Sequence, residues 1–115
     1  MLSSILKHRK FIKNYVVKRF RVAGDSSEIV IVVEFVDGSM LYVRDYAFGG
    51  ERKYSYHWQK GGELLIRWDN APHWKHLRTY PHHKHIFSEK NIQESKEHNL
   101  DAVMNFIVKN LEKRT

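Results

Sequence analysis

A chain of 115 residues with no cysteine and a formal charge of +7 has room for one domain with its own core, and it excludes thiol catalysis, thiolate metal sites and disulfide stapling. Its longest apolar run, Ile29 to Val36, contains Glu34 and is far shorter than the ~20 residues that a membrane-spanning helix requires. The first residues place basic groups after apolar ones, unlike a secretory signal, so a soluble, cytoplasmic protein with no membrane partner is expected.

The charge is unevenly placed. Residues 1–24 contain Lys7, Arg9, Lys10, Lys13, Lys18, Arg19 and Arg21 and no acid, whereas the remaining Lys and Arg are balanced by the 13 Asp and Glu. Such a segment attracts polyanions, because Lys and Arg contacts to phosphates release counterions. An acidic protein partner and a plain solvated face are the competing readings.

In chain order, Ser3 or Ser4 can cap a short N-terminal helix whose apolar stripe is Ile5, Leu6, Phe11 and Ile12. Tyr15 to Val22 interleaves β-branched and aromatic residues with basic ones, as a strand does. The turn residues of AGDSS lead into a strand over Glu28 to Val36. Asp37-Gly38 turns the chain into a third strand, Ser39 to Tyr46. AFGGE (47–51) breaks the sheet. Lys53 to Lys60 and Glu63 to Asp69 then form a second hairpin about Gly61-Gly62. The expected fold is α+β: an antiparallel meander of about five strands packed against a C-terminal helix. That helix, over 100–112, is capped by Asn99 and buries Leu100, Val103, Met104, Ile107 and Leu111. As one domain the chain divides into a basic segment (1–24), a sheet core (25–69), a histidine-rich polar segment with a mobile loop (70–99) and the helix. The stretch 88–99 is the part expected to be irregular.

A tight turn at Gly61-Gly62 pairs Lys60 with Glu63, Tyr56 with Arg67 and Tyr54 with Asp69. Tyr54, Tyr56, Trp58, Leu65, Arg67 and Asp69 then share one face, and Ser55, His57, Gln59, Leu64, Ile66 and Trp68 the other, although a bulge would shift the pairing by one. The first face has the make-up of a single-stranded RNA platform: Tyr54 and Tyr56 to stack bases, Arg67 for phosphate, and Lys7, Arg9, Lys10, Lys13, Arg19 and Arg21 as nearby cations. Equally, the tyrosines are ordinary strand residues, Trp58 is core and Arg67 pairs with Asp69.

The run RWDNAPHWKHLRTYPHHKH (67–85) gathers His73, His76, His82, His83 and His85 with both prolines of the chain. Extended backbone after Pro81 puts His83 and His85 on one side and His82 and Lys84 on the other. Two imidazoles beside a cation suit metal-independent RNA cleavage, one taking the 2′-hydroxyl proton and the other protonating the leaving 5′-oxygen. The same groups with Asp69 are also ligands for zinc, manganese or nickel, although the spacing lacks a helical HExxH or a thiolate pair.

The strings YSYHWQ (54–59), LIRWDNAPH (65–73) and PHHKH (81–85), followed by an apolar helix, resemble the TumE-like toxins of toxin-antitoxin modules over about Glu28 to Leu111. The resemblance implies a toxin that cleaves RNA and a cognate helix-turn-helix antitoxin as partner. It falls on His57, Arg67, Asp69, Asn70, His73, His82, His83, Lys84 and His85. Trp74 stands where many relatives carry a second histidine, which weakens His73 as a candidate. The resulting expectation is an endoribonuclease with His83 and His85 as acid and base, Arg67 and Lys84 on the phosphate, Asp69 orienting a histidine or Arg67, His57 and Tyr56 in support, and no metal or other cofactor. The alternative is a non-catalytic RNA-binding module or an interaction protein acting through the basic N-terminal patch.

Overall fold

The computed structural model describes residues 2–113. A short helix α1 (Leu2–Leu6) and a 3-10 turn (Arg9–Phe11) precede five long strands: β1 (Ile12–Ala23), β2 (Ser26–Phe35), β3 (Met40–Phe48), β4 (Glu51–Lys60) and β5 (Glu63–Asp69). Two short strands, β6 (His83–Ile86) and β7 (Ile92–Glu94), and a helix α2 (Leu100–Lys113) follow. The strands form one antiparallel sheet in chain order, β1 to β7.

The meander and both helices agree with the α+β expectation, but seven strands replace five. The two additional strands arise from the histidine segment and from the stretch expected to be irregular. Neither shows a strand-like apolar alternation, because β6 buries histidines where other strands bury aliphatics. Ser3 and Ser4 lie inside α1 rather than at its cap, and the Ser4 hydroxyl donates to Asp101 Oδ1 at 3.2 Å. Of the expected stripe, Ile5 is buried and Leu6 is exposed.

The β4–β5 hairpin turns at Gly61 and Gly62, whose φ values of 59° and 79° suit a primed turn that glycine adopts without strain. Lys60 does oppose Glu63, but Gln59 opposes Leu64 and Trp58 opposes Ile66. Leu65 is therefore an extra residue, a bulge that shifts every later pair by one. Tyr56 faces Trp68, and His57 faces Arg67. As a result Tyr54, Tyr56, Trp58, Ile66 and Trp68 all point to the side covered by α2.

That side is the core. Ile31, Val33, Phe35, Leu41, Val43 and the aromatic residues of β4 and β5 meet Leu100, Val103, Met104, Ile107 and Leu111 of α2, with Ile5 at the rim. The side chain of Asn99 caps α2, its Oδ1 accepting from the Ala102 N–H at 2.9 Å. The Trp68 ring meets Phe106 edge-on at 5.6 Å. Edge strand β1 is exposed along nearly its whole length, with Phe20 and Val22 in solvent.

Because Ile107 is fully buried, Ile107→Ala should lower the unfolding free energy by about 2–5 kcal/mol in urea titrations. Val22→Ala on exposed β1 should change it by less than about 0.5 kcal/mol.

Candidate functional site

The face away from α2 carries His57, Arg67, Asp69, His83 and His85 of the motif strings. Strand β6 lies antiparallel to β5, with His83 opposite Asp69 and His85 opposite Arg67. Side-chain alternation places all four on the uncovered face together with His57, the cross-strand partner of Arg67. Three of them are nonetheless buried: Asp69 is 6 % exposed, His83 1 % and His85 6 %. The edge of His83 meets the Trp74 ring, with centroids 6.5 Å apart, so the connection between β5 and β6 lies over it.

Asp69 is the hub of this cluster. Its Oδ1 is 2.9 Å from His83 Nε2, and its Oδ2 is 3.5 Å from both His85 Nε2 and Arg67 Nε. Oδ1 also accepts the Ala71 N–H at 3.0 Å. The other nitrogen of each ring is held by the backbone: His83 Nδ1–H donates to Pro81 O at 3.0 Å and His85 Nδ1–H to Glu89 O at 2.8 Å. Arg67 Nη1 reaches Glu89 Oε1 at 3.3 Å, while its buried Nε lacks a hydrogen-bond partner. Among the described residues, Asp69, His83 and His85 are a group of side chains able to converge on a metal ion.

Arg67 also closes one end of a groove of about 590 Å³ that runs over the uncovered face past His57, Tyr42, Arg44 and Lys53 to Lys18 on β1. Among the described residues, Lys18, Arg44 and Lys53 form no ion pair. Arg44 and Lys53 lie outside the acid-free segment 1–24, so the charge balance along the chain does not single them out. Their signal was present in the alternation of β3 and β4, where each occupies a position opposite in phase to the apolar residues.

Several sequence expectations are corrected. Tyr54 and Tyr56 are 2 % and 0 % exposed, beneath α2, so their rings are not available to stack bases; the Leu65 bulge puts Arg67 and Asp69 on the opposite face from them. Lys84 points to the helix side, where Nζ contacts Glu97 Oε1 at 3.1 Å and lies 5.4 Å from the Phe106 ring centroid, away from His83 and His85. His57 shares the face of the Asp69 cluster, but its Nε2 hydrogen-bonds Gln59 at 3.0 Å and its ring edge meets Tyr42. The N-terminal cations do not form one open patch. Lys7 pairs with Asp101, Lys13 with Glu34 and Arg19 with Glu28. Lys10 lies over Phe11, Arg9 is exposed in the 3-10 turn, and Arg21 lines a separate cavity at the end of β1 to β4.

The helix side holds a second polar cluster. Asp45 accepts from Arg52 Nε at 3.0 Å, from Arg52 Nη2 at 2.9 Å and from the Tyr56 hydroxyl at 2.5 Å. Burial raises the pKa of both Tyr54 and Tyr56, and the Asp45 carboxylate raises that of Tyr56 further. The hydrogen bond to Asp45 also raises that of Arg52. His82 Nδ1 shares a 2.9 Å hydrogen bond with the Tyr54 hydroxyl, and its ring stacks on His98 at 3.8 Å. Asn70 ties the β4 backbone to the end of β5, accepting the Tyr54 N–H at 2.9 Å and donating to Arg52 O at 2.8 Å. His73 is exposed.

Fold and site together define a small basic α+β protein whose open sheet face joins a carboxylate–imidazole cluster to a cationic groove. The chain belongs to the Toxin TumE family, whose model matches residues 2–114. It is therefore a toxin by family, consistent with the toxin half of a toxin-antitoxin module. No curated protein and no solved structure matches it significantly. No helix of the described residues is long and apolar enough to cross a membrane.

Burial, and next the His98 ring, lower the pKa of His82 below its ordinary 6.5. Between the two values the unfolded chain binds more protons, so stability rises with pH. The contribution is complete above about 6.5 and is lost as pH falls toward the folded value. His82→Asn should remove it, and the stability difference between wild type and variant should shrink from pH 8 to pH 5 in urea titrations.

Proposed function

We propose that this toxin is an endoribonuclease that lays single-stranded RNA along the uncovered sheet face. The observation that carries this reading is the double role of Arg67, which lines the cationic groove and also stands opposite His85 across the sheet, 3.5 Å from the Asp69 that opposes His83. A backbone phosphate drawn in by Lys18, Arg44 and Lys53 would meet the imidazole pair at Arg67.

In the metal-independent form of the chemistry, one imidazole takes the ribose 2′-hydroxyl proton while the 2′-oxygen bonds to phosphorus. The other protonates the departing 5′-oxygen, leaving a 2′,3′-cyclic phosphate and a 5′-hydroxyl. For that step both His83 and His85 must turn Nε2 from Asp69 to the substrate, since both nitrogens of each ring face protein partners. His57, along the groove from Arg67, is in reach of the RNA rather than of the two buried rings. The target is cytoplasmic RNA, and the partner that restrains the toxin is its helix-turn-helix antitoxin.

A non-catalytic RNA-binding module is the second reading, favoured by the same engagement of every ring nitrogen in the pair. End-labelled single-stranded RNA separates the two. The endoribonuclease should cut it, and His83→Ala or His85→Ala should slow cutting by about 10²–10⁴-fold with the circular-dichroism spectrum retained. Arg44→Ala with Lys53→Ala should weaken binding and reduce the slope of log K against log salt by about 0.7 per lost phosphate contact. RNA bound but left intact by wild type, with and without added metal, would leave only the module.

A further inference from the structure

From the cluster geometry we infer that Asp69, His83 and His85 form a binding site for one divalent transition-metal ion. Carbonyl oxygens only accept, so the Nδ1 atoms facing Pro81 O and Glu89 O carry the ring hydrogens. A neutral ring then presents a lone pair at Nε2. Both Nε2 atoms nevertheless point at the Asp69 carboxylate, 2.9 Å from Oδ1 and 3.5 Å from Oδ2. Lone pairs converge in this way around a shared positive centre. One metal ion uses all three lone-pair groups as they stand.

The dimensions agree. The three ligand atoms lie within 4.8 Å of one another, and each ring reaches one carboxylate oxygen, His83 Nε2 to Oδ1 at 2.9 Å and His85 Nε2 to Oδ2 at 3.5 Å, close to the spacing of roughly 3.0–3.4 Å between ligands about 2.1 Å from a common ion. The outer contacts agree as well, since a ligating histidine hands its other N–H to a backbone carbonyl or carboxylate, and both rings do so. Sequence supplies the pattern: His83 and His85 are two apart on β6, and Asp69 is the cross-strand partner of His83. Two imidazoles and one carboxylate suit Zn²⁺, Mn²⁺, Fe²⁺, Co²⁺ or Ni²⁺ rather than Mg²⁺ or Ca²⁺. Three protein ligands leave coordination positions for water or a phosphoryl oxygen. Metal binding stands on these three side chains alone; only a role for the ion in cleavage rests on the RNA reading. The stacked pair His82 and His98, face to face at 3.8 Å, cannot aim both lone pairs at one point and serves as a control.

The test uses the full chain, free of any tag and treated with a chelator, titrated with Zn²⁺, Mn²⁺ and Co²⁺ by calorimetry. One ion per chain should bind with micromolar or tighter affinity. Asp69→Asn and His85→Gln should each weaken it by at least about tenfold, and His82→Asn should bind as wild type. Nitrogen-15 NMR of the wild type should show Nε2 of His83 and His85 shifting on metal addition while their Nδ1–H signals persist, a readout that remains if a variant fails to fold. Absence of binding, binding insensitive to both ligand substitutions, or loss in His82→Asn would each overturn the site. Binding is read without RNA, so a protein that takes up metal but leaves RNA intact refutes the endoribonuclease and keeps the site. One that cuts RNA in EDTA and binds no ion does the reverse.

Discussion

The extra residue at Leu65 decides what each side of the sheet contains. Alternation along a strand is strict, so one inserted residue exchanges the faces of everything beyond it relative to the partner strand. Without the bulge, Arg67 and Asp69 would oppose Tyr56 and Tyr54 and face α2. With it, Trp68 and Ile66 join Tyr56 and Trp58 in the core, and Arg67 and Asp69 pass to the open side. Strand β6 then inherits the same phase from β5. His83 and His85 arrive beside Asp69, and Lys84 is sent to the helix side.

The two faces treat their polar groups differently. On the helix side the charges are matched: buried Asp45 with Arg52 and Tyr56, and half-buried Lys84 with Glu97, which also accepts from the Trp68 indole. These arrangements satisfy buried groups and specify the packing of β4 and β6 against α2. On the open side Lys18, Arg44 and Lys53 stand without ionic partners among the described residues, and Arg67 Nε is buried without a hydrogen bond. Buried polar groups left unmatched are costly, which is the physical reason to look for a ligand on that face rather than under the helix.

The chain belongs to a toxin family, and in the proposed function the open face is where a polyanion meets chemistry. Asp69 links both proposals. It draws Arg67 toward the imidazoles, and its carboxylate is the group on which the two Nε2 atoms converge. Rigid strands hold each of these residues, and backbone carbonyls fix both rings, so the cluster is organised before any ligand arrives.

The long strands β1 to β5, α2 with its Asn99 cap and its buried face, and the separation of His83 and His85 from His82 and Lys84 were all legible in the sequence. Each depends on local periodicity or on turn and cap chemistry within a few residues. Residues 47–51, expected to break the sheet, instead form a tight hairpin about Gly49-Gly50 in which Phe48 pairs with Glu51. Only the tertiary structure decided the placement of Tyr54 and Tyr56 in the core, the strand character of residues 83–86 and 92–94, and the groove through Arg44 and Lys53. It also brought Asp101, Glu34 and Glu28 to neutralise Lys7, Lys13 and Arg19. Those outcomes turn on which sheet face α2 covers and on partners distant in the chain, such as Glu97 for Lys84 and Asp69 for His83. A residue's neighbours across a sheet are set by register, and register is a property of the paired strands rather than of either one read alone.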